Sequence, residues 1–194
     1  MASDGFGIVV DDAAGVGKSR IAREALAAAE SQGFECRWTV GTSSARAIPL
    51  GPLTAWAPSG VTETTSRCPR RAAGQLLRGV IESLTAASST DATVVLCVDD
   101  VHLLDDLSIF VVQQIMRRGA AKLVLTVRYR EPIPAVVQEI WKDGRFERLD
   151  LQPLSLDETT APLSATLAGS VDFDVGQRLW NLNRGDVLHL HIVE

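Results

Sequence analysis

Residues 7–26 read GIVVDDAAGVGKSRIAREAL. An apolar run, Gly7 to Val10, is followed by a glycine-containing loop that ends in Gly17-Lys18-Ser19, and then by residues spaced for a helix. This is the layout of a phosphate-binding loop, G-x-x-x-x-G-K-[ST], between a buried strand and a helix. Gly15 and Gly17 free the backbone to curl, so that successive N–H groups converge on phosphate oxygens. The helix start adds the positive end of its dipole. Lys18 supplies an ammonium for the outer phosphates and Ser19 a hydroxyl for magnesium. One position departs from the pattern: Asp12 stands where the first glycine belongs. A carboxylate about 8 Å from another unit charge costs about 2 kcal/mol at an effective dielectric near 20, or about 30-fold in affinity. The loop is therefore expected to bind nucleotide, with its affinity reduced.

Working outward, strand and helix patterns alternate. Residues 34–40 alternate as a strand, and residues 41–69 form a long Ser/Thr/Pro/Gly-rich connection with a short helix expected near 53–57. The spacing of Leu76, Leu77, Val80, Ile81 and Leu84 predicts a helix over 71–86. Residues 93–98 and 122–127 are apolar runs of strand length, a helix is expected between them over 107–118, and a fifth strand over 146–151. In the first helix, Val16, Ile21, Ala25, Leu26 and Ala29 are expected to face inward. Pro134 opens a short helix closed by Gly144. This alternation predicts an α/β fold: a five-stranded, mostly parallel sheet flanked by helices, over residues 1–153. Beyond it, residues 154–194 read as helices only, a partial C-terminal lid. Ser155 and Glu158 form a capping box there, and Pro162 is expected to kink or shorten the helix that follows.

The segment VVLCVDDVHLLDD, residues 94–106, places acids at a strand end. Asp99 there suits magnesium, usually through water. Asp100 suits a residue that orients or deprotonates an attacking water, the one catalytic candidate, although both acids could simply open a turn. Asp105 and Asp106 are expected to cap the next helix. In LVLTVR, residues 123–128, Arg128 follows a buried strand and could sense a terminal phosphate or lie on the surface. The nucleotide-contacting set is thus Gly15, Val16, Gly17, Lys18, Ser19, Arg20 and Arg128, with Ser19 and Asp99 toward the metal. The expected ligands are a nucleotide and Mg2+.

The 194 residues carry a net charge of −5, which argues against a nonspecific nucleic-acid surface. Cys36, Cys68 and Cys97 have neither the number nor the spacing of a disulfide framework or metal site. No run of ~18 apolar residues predicts a membrane span, and the N-terminus lacks a signal-peptide layout. The expected setting is cytoplasmic.

Together, GVGKSRIAREAL (15–26), RWTVGTSSARAIPLGPL (37–53), VVLCVDDVHLLDD (94–106), LVLTVR (123–128), LDLQPLSLDE (149–158) and NRGDVLHL (183–190) resemble the ATPase domain of the large ATP-binding LuxR-type transcriptional regulators. These are signal-transduction (STAND-class) members of the AAA-like P-loop NTPases. The resemblance implies a sensor strand between the phosphate-loop strand and the acid strand, followed by a helical lid. It narrows the nucleotide to ATP or ADP and implies that ATP acts as a switch ligand with slow or no hydrolysis. Lys18 and Ser19 would hold phosphate and magnesium, Asp99 and Asp100 would be the acidic pair, and Arg128 the sensor. Residues 185–188 match the family's Gly-Asn-Pro-Leu lid motif, with Val187 in place of the proline. Family members are longer and end in a helix-turn-helix domain. The expectation is therefore a truncated module that does not bind DNA directly and has no membrane contact, with protein partners or self-association left open. A turnover ATPase and a degenerate module acting through protein contacts are the competing readings.

Overall fold

The computed structural model describes residues 7–12, 17–58, 69–89, 92–128, 138, 146–152, 154–166 and 171–183. The elements in chain order are β1 (Gly7–Asp12), α1 (Lys18–Ser31), β2 (Glu35–Val40), α2 (Pro69–Thr85), β3 (Val94–Asp99), α3 (Asp106–Arg118), β4 (Lys122–Arg128), β5 (Phe146–Asp150), α4 (Leu156–Thr166) and α5 (Phe173–Asn183). The five strands form one sheet in the order β2-β3-β4-β1-β5, and every pairing is parallel. The strands expected from the apolar runs are all present. The order puts β4 between β1 and β3, as the resemblance implies. Of the helix expected after Pro134 only residue 138 is described, and it is helical; Gly144, Trp141, Cys68 and residues 185–188 lie outside the described residues.

β3 is buried along its whole length, which is why its sequence reads as an unbroken apolar run rather than an alternation. Its side chains divide by parity. Val94, Leu96 and Val98 join the larger core with Val80 and Leu84 of α2 and Val111 and Ile115 of α3. Val95 and Cys97 face Ala22 and Leu26 of α1 on the other side. Each fully buried Leu or Ile here contributes about 1.5–3 kcal/mol. The Cys97 thiol is pushed up to about 12, first by burial and then by the Asp99 carboxylate, so it is a packing group, not a nucleophile.

One expectation is corrected. On α1 the inward face is Lys18, Ala22 and Leu26, whereas Ile21 is 38% exposed and Ala25 is exposed. The covered stripe runs through Ala22 and Leu26, with the expected Ala29 packed beside them. The helix α4 contains Pro162 and runs from Leu156 to Thr166. The proline removes one N–H bond, while the start of the helix is secured by the capping box: Ser155 N–H and Oγ donate to Glu158 Oε2 at 2.9 and 2.8 Å, and Glu158 N–H donates back to Ser155 Oγ at 3.3 Å. These bonds, the backbone one first, hold the Glu158 carboxyl below its usual range.

The long connection after β2 is ordered by two short 3-10 helices, Ala45–Ala47 and Gly51–Trp56, the second where a short helix is expected near 53–57. Pro52, near the start of the second 3-10 helix, supplies no N–H, and Leu53 sinks completely into the core. Thr39 Oγ1 donates to Pro52 O at 2.6 Å, tying the connection to the end of β2. Helices α4 and α5 meet where Gly176 lies against Thr160: a Cβ added there would come within 2.6 Å of Thr160 Cγ2.

Candidate nucleotide site

In a parallel sheet the carboxyl ends of all strands lie along one edge, which is where α/β folds bind ligands. The candidate residues collect at that edge, at the ends of three neighbouring strands. β1 leads through the loop to Gly17, which holds φ 97° and ψ 16° at the cap of α1. This left-handed conformation is strained for any residue with a Cβ, so the glycine before Lys18 is required by the backbone. Lys18 is buried at the first turn, 6% exposed. Ser19 is half-buried beside it and Arg20 is exposed. Gly15 and Val16 lie outside the described residues.

Asp99 ends β3 and is 4% exposed. Its Oδ1 accepts a hydrogen bond from Thr126 Oγ1 of β4 at 2.5 Å. Asp100 turns out of the strand with φ 53° and ψ 53°, a left-handed conformation for a residue that is not glycine. Its N–H donates to the same Thr126 Oγ1 at 2.8 Å. Arg128, at the end of β4, places Nε 3.5 Å from Asp100 Oδ1. The carboxylate and guanidinium are both partly exposed, so this pair contributes about 0–1 kcal/mol. His102 is buried, 3% exposed, with Nδ1 3.9 Å from the same Asp100 oxygen, beyond hydrogen-bond distance. It serves packing in the turn after β3.

The structure thus brings Asp99, Asp100 and Arg128 into one cluster, with Gly17, Lys18 and Ser19 at the start of α1 on the same sheet edge. Sequence reading missed three neighbours. Thr126 is fully buried, and its signal was a lone hydroxyl inside the apolar run LVLTV. Gly41 follows β2 and donates its N–H to Asp99 O at 2.8 Å; a Cβ there would meet Asp100 O at 2.4 Å and Leu103 Cβ at 3.1 Å. No local pattern marks it, because the close approach is between segments about 60 residues apart. Asp11 is 2% exposed and pairs with Arg148 Nη2 of β5 at 2.9 Å. Arg148 also reaches Asp150 Oδ1 at 2.6 Å. The charge of Asp11 is therefore opposed locally. Asp12 is in register with Arg128 across the β1–β4 pairing.

From the Gly41 contact, Gly41→Ala is expected to lower stability by about 1–3 kcal/mol through overpacking against a backbone carbonyl. Denaturant unfolding checks this, and an unchanged midpoint would contradict the tight approach.

The donor set fits magnesium. A hard cation takes oxygen ligands and keeps several waters, so one buried carboxylate and one hydroxyl, with phosphate oxygens, suffice. Asp99 and Ser19 offer those two groups. Among the described residues no helix is long and apolar enough to cross a membrane.

No protein-family model and no curated protein matches the sequence, but solved structures match its fold. The chain is similar to AMPPCP-bound DnaA from Aquifex aeolicus, at 10% identity and a TM-score of 0.59, over 95% of this chain and 52% of that one. It is similar to the Aeropyrum pernix ORC1 protein in complex with DNA, at 17% identity and a TM-score of 0.59, over 95% and 51%. It is also similar to the S. cerevisiae Hsp104–ADP complex, at 16% identity and a TM-score of 0.55, over 95% and 26%. The chain spans about half the length of the DnaA and ORC1 chains and about a quarter of Hsp104. These likenesses concern the fold alone: a five-stranded parallel sheet flanked by helices, an α/β fold shared with those structures.

Proposed function

We propose that this chain is an ATP- or ADP-binding switch module of the signal-transduction type, resembling the ATPase domain of LuxR-type regulators, with slow or no hydrolysis. The observation that carries the proposal is the convergence of a Gly17-Lys18-Ser19 helix start, a buried strand-end acid and a strand-end arginine on one edge of β1, β4 and β3. Lys18 and the N–H groups of the first turn would bind the outer phosphates, with Gly15, Val16 and Arg20 alongside. Ser19 and Asp99 would hold magnesium, which when bound neutralises phosphate charge. That neighbouring folds are those of DnaA with AMPPCP and Hsp104 with ADP supports adenine nucleotide as the ligand.

The switch character draws on the Asp100–Arg128 pair. A partly exposed ion pair of about 0–1 kcal/mol is readily exchanged for a charge-assisted bond to phosphate, which contributes about 1.5–3 kcal/mol. Arg128 can therefore leave Asp100 for a terminal phosphate and so distinguish ATP from ADP. A lid over residues 154–194 and a role in transcriptional regulation belong to the same proposal, as does a cytoplasmic setting without direct contact to nucleic acid.

The test is thermal. ATP or ADP with Mg2+ at ~100 times Kd is expected to stabilise the fold by about 2.7 kcal/mol, seen as a saturable rise in melting temperature. A flat response to millimolar nucleotide would leave the degenerate-module reading standing. Phosphate release well above ~1 per second, near typical turnover numbers, would favour the turnover enzyme. A second expectation concerns the departure in the loop. Asp12→Gly removes a negative charge beside the phosphates and is expected to tighten ATP binding by about 3- to 30-fold, the lower figure applying if Arg128 offsets the charge. Calorimetric titration of both proteins measures it, and equal or weaker binding by the variant would show that Asp12 does not act on the ligand.

A further inference from the structure

We infer that Thr126 is the positioning residue that presents Asp99 to the metal of a bound magnesium–nucleotide, acting from the neighbouring strand; the inference rests on the nucleotide-binding reading above. The β3–β4 backbone ladder runs to Val98 opposite Leu125. One step further, at Asp99 and Thr126, a side chain takes over the connection. Thr126 Oγ1 accepts from Asp100 N–H at 2.8 Å and donates to Asp99 Oδ1 at 2.5 Å.

The proton bookkeeping is unambiguous. A backbone N–H can only donate, so it occupies a lone pair of the hydroxyl oxygen. The single hydroxyl hydrogen is then committed to Asp99, whose Oδ1 must accept. With Oδ1 tied, rotation of the carboxylate is restricted, and Oδ2 is the oxygen left for a metal or its water shell. Groups that orient a metal ligand in this way typically matter about 10- to 100-fold in metal affinity. The same hydroxyl also satisfies the N–H of Asp100 in its left-handed conformation, which costs about 1–3 kcal/mol and needs support. Two residues along β4, on the same face by strand periodicity, Arg128 holds the Asp100 carboxylate. β4 therefore grips the acidic pair at two points. The buried, neutral grip at Thr126 stays when the exposed ionic grip at Arg128 is exchanged for phosphate. Asp99 keeps its aim in both nucleotide states.

The alternative is a purely structural hydroxyl, whose loss would lower stability and leave the effect of magnesium intact. Thr126→Val keeps the shape and removes the hydroxyl; Thr126→Ser keeps the hydroxyl. ATP affinity is measured for each protein with Mg2+ and with EDTA, beside a thermal melt. The expected result is that Thr126→Val binds ATP in EDTA within about twofold of wild type but loses at least about 10-fold of the tightening by Mg2+, and that Thr126→Ser retains it. A folded Thr126→Val with the wild-type magnesium effect would overturn the inference and leave nucleotide binding intact. So would a wild type whose binding is indifferent to Mg2+. A wild type that binds no nucleotide would overturn both readings. Should Thr126→Val lack a cooperative melt, Thr126→Ala removes the same hydroxyl with less bulk and is judged by the same ratio.

Discussion

Lys18→Met is expected to weaken binding of magnesium–ATP by roughly 10- to 100-fold, the worth of one charge-assisted bond to phosphate of about 1.5–3 kcal/mol. Lys18 is the natural site for so large an effect because it sits buried at the first turn of α1, directly after Gly17 in its left-handed conformation. Its ammonium acts in a partly desolvated setting, where attraction to an anion exceeds that at an exposed lysine. Methionine is chosen over alanine because it nearly conserves volume, which keeps the cost of a cavity out of the result. Isothermal titration with ATP and Mg2+ measures the effect, and a melt without nucleotide confirms the fold. Wild-type affinity in the folded variant would remove the phosphate loop from the proposed function.

Asp105→Ala is expected to cost about 2–4 kcal/mol of stability. The Asp105 Oδ1 atom accepts from Leu107 N–H at 3.0 Å and Ser108 N–H at 3.1 Å, capping α3. Oδ2 accepts from the fully buried Ser108 Oγ at 2.5 Å. Oδ1 also accepts from Leu50 N–H at 3.0 Å, across 55 residues of chain. The cap alone contributes about 0.5–2 kcal/mol. The bond to Leu50 adds more, because Leu50 is buried and holds φ 58°. That conformation costs a leucine about 1–2 kcal/mol, and removing the carboxylate would leave a buried N–H unsatisfied at about 1–3 kcal/mol. Asp105→Asn, which still caps well, should fall between wild type and alanine. Urea unfolding with a shared slope gives the difference. A change below about 0.5 kcal/mol, the range of an ordinary surface substitution, would mean that the connection after β2 does not depend on this carboxylate.

Both residues show what could be read from the chain. Lys18 was legible because its motif is contiguous, and its chemistry follows from spacing within eight residues. Asp105 was legible as a cap, again a local matter, but its hold on Leu50 was not. The same division runs through the site. Asp99, Asp100 and Arg128 announce themselves as polar residues at the ends of apolar runs. Thr126 and Gly41 do not, because a hydroxyl in a strand and a glycine after one acquire meaning only from what lies across the sheet. The first-helix stripe was partly misread for a related reason. Periodicity locates an apolar face only to within the width of a side chain, and contact with Val95 and Cys97 of β3 decides which residues of α1 are covered.

Short-range periodicity and turn chemistry were enough to establish the alternating strands and helices, the parallel α/β class, the glycine-lysine-serine helix start and the capping box at Ser155, because each depends on residues within one or two turns of one another. The strand order was supplied by family likeness, not by spacing, and the folded sheet realises it: β4 lies between β1 and β3. Packing also assigned the two acids of β1 different surroundings, giving Asp11 to Arg148 while Asp12 comes into register with Arg128. It closed Thr126 onto the acidic pair. These outcomes depend on groups brought together from distant parts of the chain, where burial makes each unsatisfied polar atom costly and so selects partners that no local pattern can name.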